Sequence, residues 1–153
     1  MKTLIGTALA TIVLTAPLAA AEVSMTDVEH FRPKSHEENG LPFSAAVKAG
    51  KLLFLSGQIG IQPGTVELVP GGIKAETRQT MENIKGTVEK YCGSMDRIVK
   101  CTVFMADMAE WPAMNEVYVT FFKPDKLPAR SAFGANGLAL GARVEIECIA
   151  ALD

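Results

Sequence analysis

The sequence has 153 residues, with 17 acidic and 15 basic side chains and a net charge of −2, and 48% of its residues are hydrophobic. This length suits one domain with a single modest core. The mildly acidic balance, without any run of lysine or arginine, argues against nucleic acid as the main partner.

The first 21 residues have the pattern of a secretory signal peptide. Lys2 precedes an uncharged, largely aliphatic run over residues 3–18, and three alanines follow before the first acid, Glu22. A membrane anchor is the alternative, but the run is short for a span and contains a proline. We therefore expect cleavage after Ala21, export to a bacterial periplasm and no attachment to the membrane afterwards.

Next comes a polar N-terminal arm, residues 22–40, followed by a single domain over residues 41–153. Two apolar runs flank Ala49-Gly50-Lys51, which predicts a β-hairpin. The second strand of this hairpin, residues 52–55, is apolar throughout, so we expect it to be buried on both faces.

Two helices are predicted in the middle of the chain. Apolar side chains recur every three or four residues over residues 73–91, and Gly93 stands where a glycine would end that helix. Asp107 and Glu110 form a D-x-x-E capping pattern before a second helical run, whose apolar side chains continue to Phe121.

Three further strands are predicted at residues 97–105, near residues 131–135 and at residues 143–151, where β-forming side chains are enriched. The order is then two strands, a helix, a strand, a helix and two strands, with hairpins rather than regular βαβ alternation. This order predicts an α+β domain with two helices packed on one face of a sheet.

The cysteines and histidines give no support for a metal site, so we predict no metal and no cofactor. Both histidines lie in the polar arm, and the chain has no C-x-x-C motif. An oxidising compartment would allow one disulfide among Cys92, Cys101 and Cys148 and leave at least one thiol unpaired. We interpret the three as buried, inert thiols.

Arg130 stands alone in a small, apolar segment, and this makes it the first candidate for function. A guanidinium group is costly among apolar neighbours unless it meets an anion, and its planar fork matches a carboxylate. Alternation along the last strand places Val144 on the core face and Glu145 and Glu147 on the other. Glu147 is interpreted as a solvated edge acid. Glu145 lies nearer the loop that follows Arg130, so we expect Glu145 to share a site with it.

Six short segments, spread between about Leu41 and Ala151, together resemble the RidA (YjgF) family of imine and enamine deaminases. They occur in the order and spacing of that family: Ser56-Gly-Gln-Ile, Asn83-Ile-Lys, Val103-Phe-Met-Ala-Asp, Asn115-Glu-Val-Tyr-Val-Thr-Phe-Phe, Pro128-Ala-Arg-Ser and Val144-Glu-Ile-Glu-Cys-Ile-Ala. The resemblance implies a chorismate-mutase-like α+β fold, with one mixed sheet and two helices on one face. It also implies a homotrimer with active sites between subunits, and hydrolysis of small 2-imino acids such as 2-aminoacrylate to 2-oxo acids and ammonia.

The resemblance further implies roles for individual residues. Arg130 would hold the carboxylate of the 2-imino acid, and the backbone carbonyl of Ala132 would accept a hydrogen bond from the imine nitrogen. Glu145, fifteen residues after the arginine, would position the attacking water. Four further residues match positions that line the cleft: Phe43, Ser56, Gly57 and Asn115.

The chain departs from the family pattern at three places. Phe43 has no hydroxyl group where the family often has a tyrosine, and Ala132 replaces the usual cysteine. The segment of residues 137–142 is apolar and rich in glycine where relatives often carry proline and charged residues.

Two other functions are consistent with the same residues. A periplasmic binding protein could use the Arg130 site for small carboxylates without turnover, and the absent tyrosine hydroxyl and the predicted export both favour this alternative. RNA cleavage is an activity sometimes attached to the family name, but the acidic balance and the lack of a basic stripe weigh against it.

Overall fold

The computed structural model describes residues 27–153, so the predicted signal peptide and the start of the predicted arm lie outside the described residues. Within this range the strands are β1 (Val28–Phe31), β2 (Ala46–Ala49), β3 (Leu52–Leu55), β4 (Gln58–Ile59), β5 (Ile98–Met105), β6 (Ala129–Gly134) and β7 (Val144–Ala151). The α-helices are α1 (Lys34–Glu38), α2 (Gly72–Tyr91) and α3 (Trp111–Tyr118).

The strands form one mixed sheet in the order β1-β2-β3-β7-β5-β6, with β4 also paired to β7. The β5–β6 pair is parallel because α3 connects the two strands, and the other pairs are antiparallel. The α+β fold class and the β2–β3 hairpin are thereby confirmed. The last two strands do not pair with each other, because β5 lies between them.

One face of the sheet packs against α2 and α3 and forms the core. Alternate residues of β7 point into this core, as the sequence predicts. Asp107 begins the second helical segment, because its side chain accepts a hydrogen bond from the Ala109 amide at 2.8 Å. Glu110 does not complete a capping box; its Oε1 atom accepts a hydrogen bond from Arg143 at 2.7 Å. The fully buried core side chains include Leu53, Met81, Ile84, Val103, Met105, Met114, Val144 and Ile146.

Neither α2 nor α3 packs on the opposite face of the sheet, and we call it the open sheet face. Here the expectation that β3 is buried on both sides is wrong for the single chain. Leu52 is 39% exposed and Phe54 is 42% exposed, whereas Leu53 between them is fully buried. Phe133 on β6 is 48% exposed and packs edge-on against Phe104 of β5.

Two of the three cysteines form a disulfide, so their interpretation as inert thiols is wrong. Cys101 on β5 and Cys148 on β7 are direct partners in the antiparallel ladder, which brings their side chains together in the core. Cys92 is free and half-buried.

The polar arm contains more structure than its composition suggests. β1 pairs with β2 and extends the sheet, and α1 follows it. None of the helices described between residues 27 and 153 is long and apolar enough to cross a membrane.

Candidate functional site

Arg130 lies on the edge strand β6 and points toward α3. Its Nη1 atom donates a hydrogen bond to the Asn115 side-chain oxygen at 2.8 Å. Its guanidinium carbon lies 4.7 Å from the centre of the Tyr118 ring and 5.7 Å from that of Trp111. Trp111, Asn115 and Tyr118 are separated along α3 by four and three positions, so they present one side of the helix to the arginine. We call Arg130 and these three residues the arginine cluster.

The arginine cluster holds a cation that no carboxylate neutralises within the described part of the chain. Burial raises the pKa of Tyr118 to about 12, and the opposing charge of Arg130 only partly reduces this effect. The phenol is therefore neutral and lies beside the half-buried guanidinium. A guanidinium held in this way by a hydrogen bond and two aromatic rings is suited to bind the carboxylate of a ligand. Ala132, two residues along β6, is half-buried and lies on the same face of the strand as Arg130.

Glu145 opens into a separate cavity of about 510 Å³, which we call the Glu145 cavity. Gln58 and Glu145 contribute polar groups to its lining, next to Gly57. Residues of α1 and of the segment that follows it line another part of the wall. Most of the remaining wall is apolar and includes Leu41, Phe43, Ile59, Ile61, Val66 and Leu140.

Gly57 allows the Glu145 carboxylate to occupy this position. β4 pairs with β7 so that Ile59 is opposite Glu145, and this brings the preceding glycine under the carboxylate. A Cβ atom at Gly57 would lie 2.1 Å from the Glu145 Oε1 atom, so any other residue would displace it. Burial raises the pKa of the Glu145 carboxyl, and the nearby charge of Glu147 raises it further.

Two other predicted site residues lie beside the cavity in different ways. Phe43 is 45% exposed and lines the cavity wall. Ser56 precedes Gly57, but its hydroxyl donates a hydrogen bond to the Ser44 carbonyl at 2.6 Å. In the single chain, Ser56 therefore fixes the loop before β2.

The arginine cluster and the Glu145 cavity lie on opposite faces of the sheet. Arg130 pairs with Cys101 of β5, and Glu145 pairs with Phe104 of the same strand. Because Cys101 and Phe104 are three residues apart on a strand, their side chains and those of their partners point in opposite directions. The two candidate groups therefore do not face a common cleft within one chain.

Sequence reasoning did not assign a site role to Trp111 or Tyr118. Both belong to the apolar side of the predicted second helix, and their four- and three-residue spacing from Asn115 is the signal in the sequence that relates them to it. Residues 27–153 contain no group of three or more His, Cys, Asp or Glu side chains that could hold a metal ion.

The chain matches the model of a protein family described as Endoribonuclease L-PSP over residues 36–152. A RutC family protein of Pyrococcus horikoshii is 46% identical over 109 residues, which cover 71% of this chain and 86% of that protein. A 2-iminobutanoate/2-iminopropanoate deaminase of Mus musculus is 42% identical, over 71% of this chain and 80% of the mouse protein. The crystal structure of RidA from an Antarctic Psychrobacter species matches with a TM-score of 0.69 and 39% identity, over 72% of this chain and 89% of that one.

Proposed function

Since the chain belongs to the RidA (YjgF) family, we propose that it hydrolyses small 2-imino acids to 2-oxo acids and ammonia. The observation that carries this proposal is the environment of Arg130. Its guanidinium is held by Asn115 and the Tyr118 ring and has no carboxylate partner in residues 27–153. Such a group selects a substrate that carries its own carboxylate. The relatives named as deaminases at about 40% identity favour turnover over binding alone.

The proposed reaction needs one group for the carboxylate and one for the water. Arg130 holds the substrate carboxylate, and the Ala132 carbonyl accepts a hydrogen bond from the protonated imine nitrogen. Glu145 takes a proton from water as the oxygen attacks the imine carbon, and the C=N π electrons move to nitrogen. The raised pKa of Glu145 makes it a stronger base than an ordinary glutamate. Positioning and acid–base assistance suffice for such a reactive substrate, without a metal or cofactor.

The opposite-face arrangement leads to the second part of the proposal, a homotrimer. An active site that contains both Arg130 and Glu145 requires the arginine cluster of one subunit to face the Glu145 cavity of the next. A ring in which each interface is head-to-tail supplies such contacts. The exposed side chains of Leu52, Phe54 and Phe133 support the trimer, because an apolar face of this kind is typical of an interface.

Export from the cytoplasm stays a prediction, and the structure adds one supporting observation. The Cys101–Cys148 disulfide is of the kind that persists in oxidising compartments such as the periplasm. Cell fractionation with mass measurement of the mature N-terminus tests this, and an unprocessed cytoplasmic protein would contradict it.

The direct test of the proposed function is release of ammonia from 2-imino acids generated freshly in the assay. We expect turnover by the parent protein and its loss in Arg130→Ala. Arg130→Lys should also lose most activity, since a point charge does not reproduce the planar fork. Full activity of Arg130→Ala would contradict the proposed role. A parent protein that binds small carboxylates without releasing ammonia would favour the binding-protein alternative.

A further inference from the structure

A second titratable side chain lies in the wall of the Glu145 cavity. α1 places His36 there, together with Ser35 and the helix-capping Asn39. The His36 carbonyl accepts a hydrogen bond from the Leu41 amide at 2.9 Å. The Arg32 guanidinium in turn donates to the Leu41 carbonyl at 2.7 Å, so this short segment is fixed against the cavity.

Two contacts fix the orientation of the imidazole ring. Its Nδ1 atom lies 3.2 Å from the Phe43 carbonyl oxygen. Because a carbonyl oxygen only accepts hydrogen bonds, Nδ1 must carry the hydrogen, and the lone pair of the neutral ring is then on Nε2. The ring also packs edge-on against the Phe43 ring, with the two centres 5.5 Å apart. Within residues 27–153, Nε2 has no hydrogen-bond partner.

The second half of the proposed reaction requires two proton transfers. Attack of water leaves a carbinolamine, in which the reacting carbon carries a hydroxyl and an amino group. When the C–N bond breaks, its electron pair stays on nitrogen, which takes a proton and leaves as ammonia. The hydroxyl must lose its proton at the same stage as the C=O bond forms. Glu145, protonated by the attacking water, can supply the first proton, and a second group in the cavity allows the other to be accepted at the same stage.

We propose that His36 is a catalytic residue whose Nε2 atom accepts the hydroxyl proton of the carbinolamine, a role that rests on the proposed deaminase function. Glu145 returns its proton to the leaving amine, and His36 then releases its own proton to solvent, so the cycle is balanced. Among the described residues that line the cavity, His36 and Glu145 are the titratable ones. Phe43, which contacts the imidazole, has no hydroxyl group that could take this role.

The charges around His36 do not offer an alternative proton acceptor in the cavity. On α1 itself, Lys34 pairs with Glu38 at 3.4 Å, and both side chains are highly exposed. Glu37 is exposed as well. From the preceding segment Arg32 contacts the Leu41 carbonyl, and from β7 the facing charge is Glu145.

The experiment compares His36→Asn and His36→Ala with Glu37→Gln, a change in the same short helix, as the control. Asparagine retains an N–H group that can donate to the Phe43 carbonyl, but it does not exchange protons near neutral pH. We expect kcat to fall about 10²-fold in both His36 variants, with KM little changed in His36→Asn. The contribution of an imidazole to the pH profile of kcat should disappear. Glu37 is exposed on α1 beside His36 and does not line the cavity, so its replacement should leave turnover unchanged.

Chemical rescue separates a catalytic role from a structural one. Added imidazole should restore part of the turnover of His36→Ala but none of that of Glu145→Gln. A His36→Asn variant with the parent kcat and pH profile would overturn the proposal, and a loss confined to His36→Ala would show that His36 only positions Phe43. In either case the deaminase function would stand. Absence of turnover in the parent protein would instead overturn the proposed function, and the role of His36 with it.

Discussion

Glu145 combines its proposed catalytic role with an unfavourable environment. Its carboxyl is half-buried over Gly57 and close to Glu147, and both the burial and the neighbouring charge favour the protonated form. The folded state therefore binds this proton more tightly than the unfolded state does. Stability linked to the group is present at low pH and is lost as pH rises through the raised pKa.

Replacement of Glu145 should consequently separate activity from stability. Glu145→Gln should lower kcat by about 10² or more, because the water loses its base. The same variant should be more stable than the parent at neutral pH, and this advantage should vanish near pH ~4, where both proteins carry a neutral side chain. Denaturant unfolding at the two pH values and at equal protein concentration measures the difference.

Glu147→Gln is the control for this prediction. It removes an exposed acid on the same face, so kcat should stay near the parent value, while the acid limb of the pH profile moves to lower pH. Equal losses of kcat from the two substitutions would contradict the assignment of the catalytic water to Glu145.

Two glycines on either side of β4 should respond differently to the same substitution. In Gly57→Ala the new Cβ meets the Glu145 Oε1 atom, the end of a flexible side chain, so the protein should fold while turnover falls. In Gly60→Ala the Cβ would lie 2.8 Å from the Glu76 Cα atom of α2, which has no freedom to move aside. Soluble yield, thermal unfolding and turnover of both variants test this. A fully active Gly57→Ala protein would contradict the position of the carboxylate.

At the scale of elements, periodicity and alternation predict what each element buries within the chain. The spacing of apolar residues identified α2, and alternation identified the core face of β7, because one side of each packs against the same core. The exposure of β3 could not be predicted in this way. A run of apolar residues shows that a strand avoids water but does not show whether a helix or another subunit covers it.

The arginine cluster, too, could be predicted only in part from the sequence. The sequence singled out Arg130, since a lone guanidinium in an apolar segment needs a partner. The contribution of Trp111 and Tyr118 could not be predicted, because the register of α3 against β6 depends on tertiary packing. The same holds for α1: five polar residues carry no periodic signal, yet Arg32 and the Leu41 backbone fix the helix at the cavity.

The disulfide between β5 and β7 is a stabilising element of the sheet. Replacing both Cys101 and Cys148 with alanine should lower the free energy of unfolding by about 2–5 kcal/mol, since the bridge closes a long loop in the unfolded chain. Cys92→Ala should change it by less than about 1 kcal/mol. Titration of the unfolded, unreduced protein should find a single thiol per chain, whereas three thiols would contradict the bridge.

At the scale of the whole molecule, the sheet separates the two halves of the proposed site. Arg130 is fixed on the helix side of the edge strand, and Glu145 opens on the other side of the central strand β7. No rotation of either side chain crosses the sheet. We therefore propose that each active site takes Arg130 from one subunit and Glu145 from its neighbour.

Mixed trimers of Arg130→Ala and Glu145→Gln subunits test this claim most directly. Each variant alone should be inactive. In a trimer that contains both, a site that takes Arg130 from a Glu145→Gln subunit and Glu145 from an Arg130→Ala subunit is intact. Mixed trimers that are isolated through two different affinity tags each have one intact site in three, so they should recover about a third of the parent activity. Recovery of ammonia release near that level is the predicted result, and mixed trimers as inactive as either variant alone would contradict the account.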